Sequence, residues 1–309
     1  MWMDSRYTRL PGLPQELIDY IIDFLHDDKK SLSSCALTHR TWVNTTRYHL
    51  FRRIYATVPV EPTPTEPGYV EPYVKYQLEN GKGERSDNGH DIDEVIEMLG
   101  CVRYTHYRRY IRHVLIKGSI HRAFCTLSVD KIVNLLTLLP SLESLSLFSI
   151  RLYPLTIPRD SIIPFKIGRL AFSDVAAAPS GTISKQPILD TIALFSHIGN
   201  ILVSDFYAGR VGIVEPPPPP ENRVQIAGVS AIRLRDFDLL RALLLHSAQM
   251  DAVTSFSASI TSPEHIQCSN NFLACFVPEK LNRLEFDFRW IDCEVDYGKS
   301  VFQLLAMVI

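Results

Sequence analysis

From residue 111 onward the chain repeats one short pattern: an apolar residue, two positions of any kind, an apolar residue, one further position, and an apolar residue. Its instances are Ile111/Val114/Ile116, Leu142/Leu145/Leu147, Ile167/Leu170/Phe172, Ile198/Ile201/Val203, Val229/Ile232/Leu234, Val253/Phe256/Ala258 and Leu281/Leu284/Phe286. The closing pair of each alternates as a half-buried strand does. The middle positions, 114, 145, 170, 201, 232, 256 and 284, stand 24 to 31 residues apart, a period that fits stacked strand-and-helix units with parallel strands. Stretches of helical period precede three of them: "VDKIVNLLTLL" before Leu145, "PILDTIALF" before Ile201 and "DLLRALLLHSA" before Phe256. The remaining strands are expected to enter through loops, giving a larger period of strand, helix, strand and long loop.

The first fifty residues carry a different pattern. Leu17, Ile21 and Leu25 fall on one helical stripe, Ile18 and Ile22 lie beside it, and Phe24 widens it, so the apolar arc is broader than a single packed seam needs. Pro14 suits a first helical position, where its fixed φ fits and its missing N–H is no loss. The spacing predicts a helix from Pro14 to about Leu25, a polar turn "HDDKK", a second helix over Ser31 to Thr38, and a third from near Thr41 that carries Trp42 toward Leu50 and Phe51. Three short helices cannot bury both sides of themselves, which leaves part of that arc for a partner.

Between these regions the composition shifts. "VPVEPTPTEPGYVEPYVKYQLENGKGERSDNGH" has prolines at 59, 62, 64, 67 and 72 and an acidic balance, so a solvated spacer between the helices and the repeats is expected. The chain thus divides into residues 1–58, a helical module; 59–100, a linker with a short helix; and 101–309, a divergent repeat domain. Its closing "YGKSVFQLLAMVI" leaves no polar face beyond Gln303 and is expected to be the helix of an unfinished unit.

"LPQELIDYIIDFL" followed by "SLSSCALTHRTW" resembles the F-box, through Leu13, Pro14, Glu16, Leu17, Ile21, Leu25, Leu37, Arg40 and Trp42 in order and at suitable spacing. The match covers about 40 of the 309 residues. The resemblance implies a three-helix module that docks on a Skp-type adaptor, and through it on a cullin, in an SCF ubiquitin ligase. Leu13, Pro14, Leu17, Ile18, Ile21, Leu37 and Trp42 are then the expected adaptor contacts. The repeats resemble those of degenerate leucine-rich-repeat F-box proteins that fungi encode in large numbers. The implied fold class is α/β, α+β overall, with an irregular leucine-rich-repeat-like solenoid built on a parallel sheet. Outward-facing strand residues would form its cargo face, Arg233, Arg235, Asp236, Glu285, Asp287 and Arg289 being the most chemically varied.

Charge and composition narrow the chemistry. A formal net charge of −2, with 46% hydrophobic and 21% charged residues, gives no general pull toward nucleic acid or anionic membrane. "VRYTHYRRYIRH" interleaves arginine with tyrosine as an RNA surface does, yet no wider basic field surrounds it; snorkelling tyrosines beside a buried Ile111 account for it. Six cysteines without a C-x-x-C pair indicate neither zinc nor a disulfide framework, and with no leader-like start they fit the cytosol or nucleus. No stretch offers the roughly 20 clean apolar residues of a membrane span. Neither phosphate-loop, nucleophile-elbow nor zinc-protease motifs occur, so no enzyme, cofactor or metal is expected. "EPPPPPEN" reads as an exposed insertion. The expected function is a substrate-recruiting receptor; the runner-up is a non-enzymatic scaffold or RNA-associated protein with an F-box-like cap.

Overall fold

In the computed structural model the described residues are 13–59, 90–118, 125–177, 179–180, 182–183, 186–204, 223–232, 237–260 and 263–288. Helix α1 (Gln15–Phe24) starts behind Pro14, whose carbonyl accepts the N–H of Leu17 and of Ile18. Helix α2 (Lys29–Thr38) begins inside the expected polar turn, because the Asp28 carboxylate accepts from the N–H groups of Lys30 and Ser31 at 3.1 and 3.0 Å and so caps it. Helix α3 (Val43–Phe51) follows Trp42. Ile18, Ile22 and Leu32 make a small core between them, with Leu25, Trp42 and Leu50 half-buried against it.

A single residue, Arg52, separates α3 from strand β1 (Arg53–Thr57), which lies in the main sheet. Then come β2 (His90–Asp91), α4 (Ile92–Gly100), a 3-10 segment over Val102–Tyr110, β3 (His113–Lys117), β4 (Thr126–Ser128), α5 (Val129–Leu138), β5 (Ser144–Phe148) and β6 (Arg151–Tyr153). Next are β7 (Phe165–Ser173), β8 (Ala176–Ala177), the antiparallel pair β9 (Pro179–Ser180) and β10 (Thr182–Ile183), α6 (Gln186–Ala193) and β11 (Phe195–Ser204). The described chain ends with β12 (Val224–Ile226), β13 (Gly228–Ile232), α7 (Phe237–Ser247), β14 (Ala248–Gln249), β15 (Ser255–Ile260), α8 (Pro263–Leu273) and β16 (Arg283–Phe288).

The molecule is therefore mixed α/β, with three N-terminal helices and an 11-stranded sheet whose main path runs β16-β15-β13-β11-β7-β5-β3-β1-β2, with β12 and β14 attached beside β11. Along that path each pairing is parallel. Helices α4 to α8 pack against one another in chain order. Between that layer and the sheet lies the core, into which Val114, Leu145, Leu170, Ile201, Val229 and Phe256 point from successive strands.

These middle positions are direct register partners: Ile54 with Val114, Val114 with Leu145, then Leu170, Ile201, Val229, Phe256 and Leu284. One sequence expectation is corrected here. The fifth unit is Ile226/Val229/Ala231, three residues earlier than Val229/Ile232/Leu234, because Ile201 pairs with Val229 and Ile232 sits opposite Ser204 on the other face. From 114 the steps become 31, 25, 31, 28, 27 and 28 residues. An additional unit, Phe51/Ile54/Ala56, opens the series.

The two free positions inside each unit have a physical cause. The carbonyls of Arg52, Arg112, Ala227 and Thr254 each accept two successive N–H groups of the next strand, for instance Arg112 and His113 on Arg52 at 2.9 and 3.0 Å. The bend this makes turns residues three apart, such as Ile111 and Val114, toward the same core, which an unbroken strand of period two would not do.

Two more expectations are corrected. The stretch after Tyr55 does not hold the helices away from the sheet: Ala56 is the register partner of His90 and Thr57 of Asp91, so the residues on either side of it lie in adjacent strands. Residues 53–57 and α4 accordingly belong with the sheet rather than with a separate module and linker. Nor do helices alternate with loops, since α4 precedes β3 and α8 precedes β16. Where no helix stands between β5 and β7, the small parallel sheet β4-β6-β8 fills the layer. The loop after β6 is clamped by two carboxylates: Asp130 of α5 accepts from the N–H groups of Thr156 and Ile157, and the buried Asp190 of α6 accepts from the N–H of Leu155 and the guanidinium of Arg159.

Candidate functional site

Helix α1 has two apolar faces. Ile18 and Ile22 point inward, and polar contacts to α3 fix that orientation: the Thr45 hydroxyl donates to Asp19 at 2.5 Å, and the His49 ring lies 2.8 Å from the Asp23 carboxylate. The opposite face carries Leu17, Tyr20, Ile21 and Phe24, all exposed, with Phe24 at 69%, and exposed Leu13 lies just ahead of the helix. The spacing of 3, 1 and 3 residues places those four on one continuous stripe. Tyr20 and Phe24 lie edge to face, with ring centroids 4.8 Å apart. Leu37, at the end of α2, is 89% exposed, and Pro14 is exposed as well.

Of the expected adaptor contacts, Ile18 is corrected: at 8% exposure it belongs to the module's own core, one helical step from the stripe. Trp42 is half-buried against the same core. Tyr20 joins the stripe although its hydroxyl disguises it in a purely hydrophobic pattern; its position three residues after Leu17 and four before Phe24 is the signal that finds it.

The sheet face away from the helices is the second surface. Its middle is mostly hydroxyl and amide: Ser173 and Ser204 share a hydrogen bond at 2.8 Å, and Asn200, Ser230 and Ser257 form a row linked at 3.2 and 2.8 Å, with exposed Arg169 of β7 beside Asn200. Arg53, His113 and Lys117 stand at one end, on β1 and β3, and exposed Glu285 and Asp287 at the other, on β16. Burial, then the positive charge of Arg52, Arg53 and Arg112, pushes the His113 imidazole below its ordinary value, only partly countered by Glu143. Glu285 is already engaged by Arg283 of its own strand at 2.6 Å. Of the other expected cargo residues, Arg233, Arg235, Asp236 and Arg289 lie outside the described residues, as do the proline run at 216–220 and the closing segment 297–309.

The arginine and tyrosine segment acts as a bracket. Tyr107 packs at a tilt against Phe51 of α3, ring centroids 4.4 Å apart, with the Arg47 guanidinium 5.4 Å from its ring, the Tyr110 hydroxyl donates to Asn44 at 3.3 Å, and Arg108 donates to the Leu99 carbonyl at 2.6 Å. These aromatic faces are used inside the molecule, and Ile111 behind them is fully buried.

Among the described residues no group of three His, Cys, Asp or Glu side chains could hold a metal ion, and no helix is long and apolar enough to cross a membrane. Compared with known proteins, the chain matches no family model and no curated protein.

Proposed function

We propose that the protein is a substrate-recruiting receptor of an SCF-type ubiquitin ligase, in which the three N-terminal helices act as an F-box and the sheet and helix layers as an irregular leucine-rich-repeat-like solenoid. The observation that carries this reading is the exposed stripe Leu17, Tyr20, Ile21 and Phe24 on a helix whose other face is already packed. Large apolar side chains exposed in a row are the anchors of helix-mediated docking. The F-box resemblance names the occupant, a Skp-type adaptor that bridges to a cullin; ubiquitin transfer is then done by other chains, in the cytoplasm or nucleus. The open sheet face, cationic at β1 and β3 and acidic at β16, receives the cargo protein.

The test is capture of a purified Skp-type adaptor by the full chain and by the variant Leu17→Asp/Ile21→Asp. Both positions are exposed, so the variant should unfold at the same temperature as the parent within the small range of surface changes. Adaptor binding should fall at least about a hundredfold, as loss of two central apolar anchors does. Equal capture by parent and variant would sink the proposal, as would failure of the parent to bind at all.

A further inference from the structure

We propose that a cleft at the N-terminal ends of β7, β11, β12 and β14 binds a phosphomonoester group. The cleft has a volume of about 650 Å³. Four of its side chains stand in one lateral row across parallel strands: Lys166 is the register partner of His197, His197 of Gln225, and Gln225 of Gln249. Register partners project from the same face, at steps of about 4.8 Å, so the row forms one continuous polar strip. Arg223 and Ser196 complete the wall. Ser196 is the extra residue of an irregularity in β11 between Phe195 and His197, and its hydroxyl donates to the Phe165 carbonyl at 3.1 Å.

The wall is chemically one-sided. Lys166 and Arg223 bring two permanent positive charges, no Asp or Glu lines the cleft, and no described carboxylate lies within ion-pair distance of either cation. The lining side chains carry an ammonium, a guanidinium, an imidazole and two carboxamides, together more N–H donors than the two oxygens of a carboxylate can use. The tetrahedral oxygens of a phosphate, carrying up to two negative charges, match that surplus. The cleft is also far larger than phosphate alone, within the range of sites that hold a ligand's body together with its charged head. It lies on the sheet three strands along from β1, so this proposal is independent of the adaptor reading.

The source of the phosphate, a small phosphorylated metabolite or a phosphorylated side chain, is separated by calorimetric titration of the full chain at fixed ionic strength. The probes are a sugar phosphate and a phosphoserine-containing peptide of about ten residues, with the free sugar and the unphosphorylated peptide as controls. At least one phosphorylated probe should bind at one site per chain while its control does not, and the tighter of the two identifies the source. Lys166→Gln/Arg223→Gln should weaken that binding at least tenfold, and Lys166→Gln alone about fivefold; both side chains are exposed, so the fold should survive. Absence of binding by both phosphorylated probes would overturn the proposal. Binding that is equal for probe and control, or unchanged in both variants, would overturn it too.

Discussion

Three kinds of residue show how tightly single positions are constrained. Gly118 follows β3, and a Cβ built there would collide with the Ser149 carbonyl oxygen and come within 3.0 Å of both Cys125 and Ile150. None of these is the free end of a long side chain. Gly118→Ala should therefore destabilise the protein by about 3 kcal/mol, the upper part of the overpacking range, read as a lower denaturation midpoint in urea; a loss under about 1 kcal/mol would show that the strand end relaxes. Ser149 and Asp174 occupy left-handed backbone at φ 51° and 58° just past their strands, and the Ser149 hydroxyl donates to the Asp174 carboxylate at 2.7 Å. Asp130 links residue chemistry to pH. Burial opposes its charge, but the N–H groups of Thr156 and Ile157 and the hydroxyls of Thr156 and Ser128 outweigh that and hold its carboxyl below the usual 3.8. A depressed carboxyl contributes stability that is complete above the unfolded value and is lost as pH falls through the folded one. Melting temperatures measured from pH 6 down to pH 2 should fall more steeply below about pH 4 in the parent than in Asp130→Asn; parallel curves would remove the clamp from the account.

At the scale of elements, the strands were legible because their signal is doubled: period-two alternation at the end of each unit, and a near-constant step between units. The slip at β13 has a definite cause. In "IAGVSAIRL" both Val229 and Ile232 are apolar, with alternating neighbours after each, so the pattern alone supports two registers three residues apart; pairing of Gly228 with Ser255 and of Val229 with Phe256 decides between them. Unit Phe51/Ile54/Ala56 was hidden by its overlap with the end of α3, and α8 by its polar run "CSN", which dilutes the helical period. On α1 the surplus apolar arc was readable, whereas the division into a buried and an exposed half required the partners that α2 and α3 supply. The bracket between Val102 and Tyr110 was legible as composition only, since which tyrosine meets which arginine depends on α3. Its strength is measurable: Phe51→Leu and Tyr107→Leu in a double-mutant cycle should show a coupling of about 1 kcal/mol, typical of an aromatic pair. A coupling indistinguishable from zero would mean that the Phe51–Tyr107 contact adds nothing to the other links that hold α3.

At the scale of the whole molecule, a sheet whose main-path strands, β2 apart, follow chain order lets each unit touch little beyond its neighbours, so stability should vary along the sheet rather than being uniform. The burial gradient gives the direction. In β5 and β7, Leu145, Leu147, Leu170 and Phe172 are completely enclosed, whereas in β16 Leu284 and Phe286 are only half-buried and alternate with exposed Arg283, Glu285 and Asp287. At the other end β2 has two residues, and β1 exposes Arg53 and Tyr55 beside half-buried Ile54. Among the described strands, opening β16 breaks pairing with β15 alone, whereas opening β7 breaks pairing with both β5 and β11. Native-state hydrogen exchange should therefore find the slowest amides in β5, β7 and β11, with protection falling toward β15 and β16 and toward β2, the outermost strands exchanging at least about a hundredfold faster. Leu170→Ala, which removes a fully enclosed side chain from a middle strand, should lower overall stability by about 3 kcal/mol and speed exchange in β5, β7 and β11 together. Leu284→Ala should speed exchange in β16 and β15 while leaving β5 unchanged. Equal acceleration of every strand by both variants would show a sheet that opens only as one unit, and the neighbour-by-neighbour account would fall.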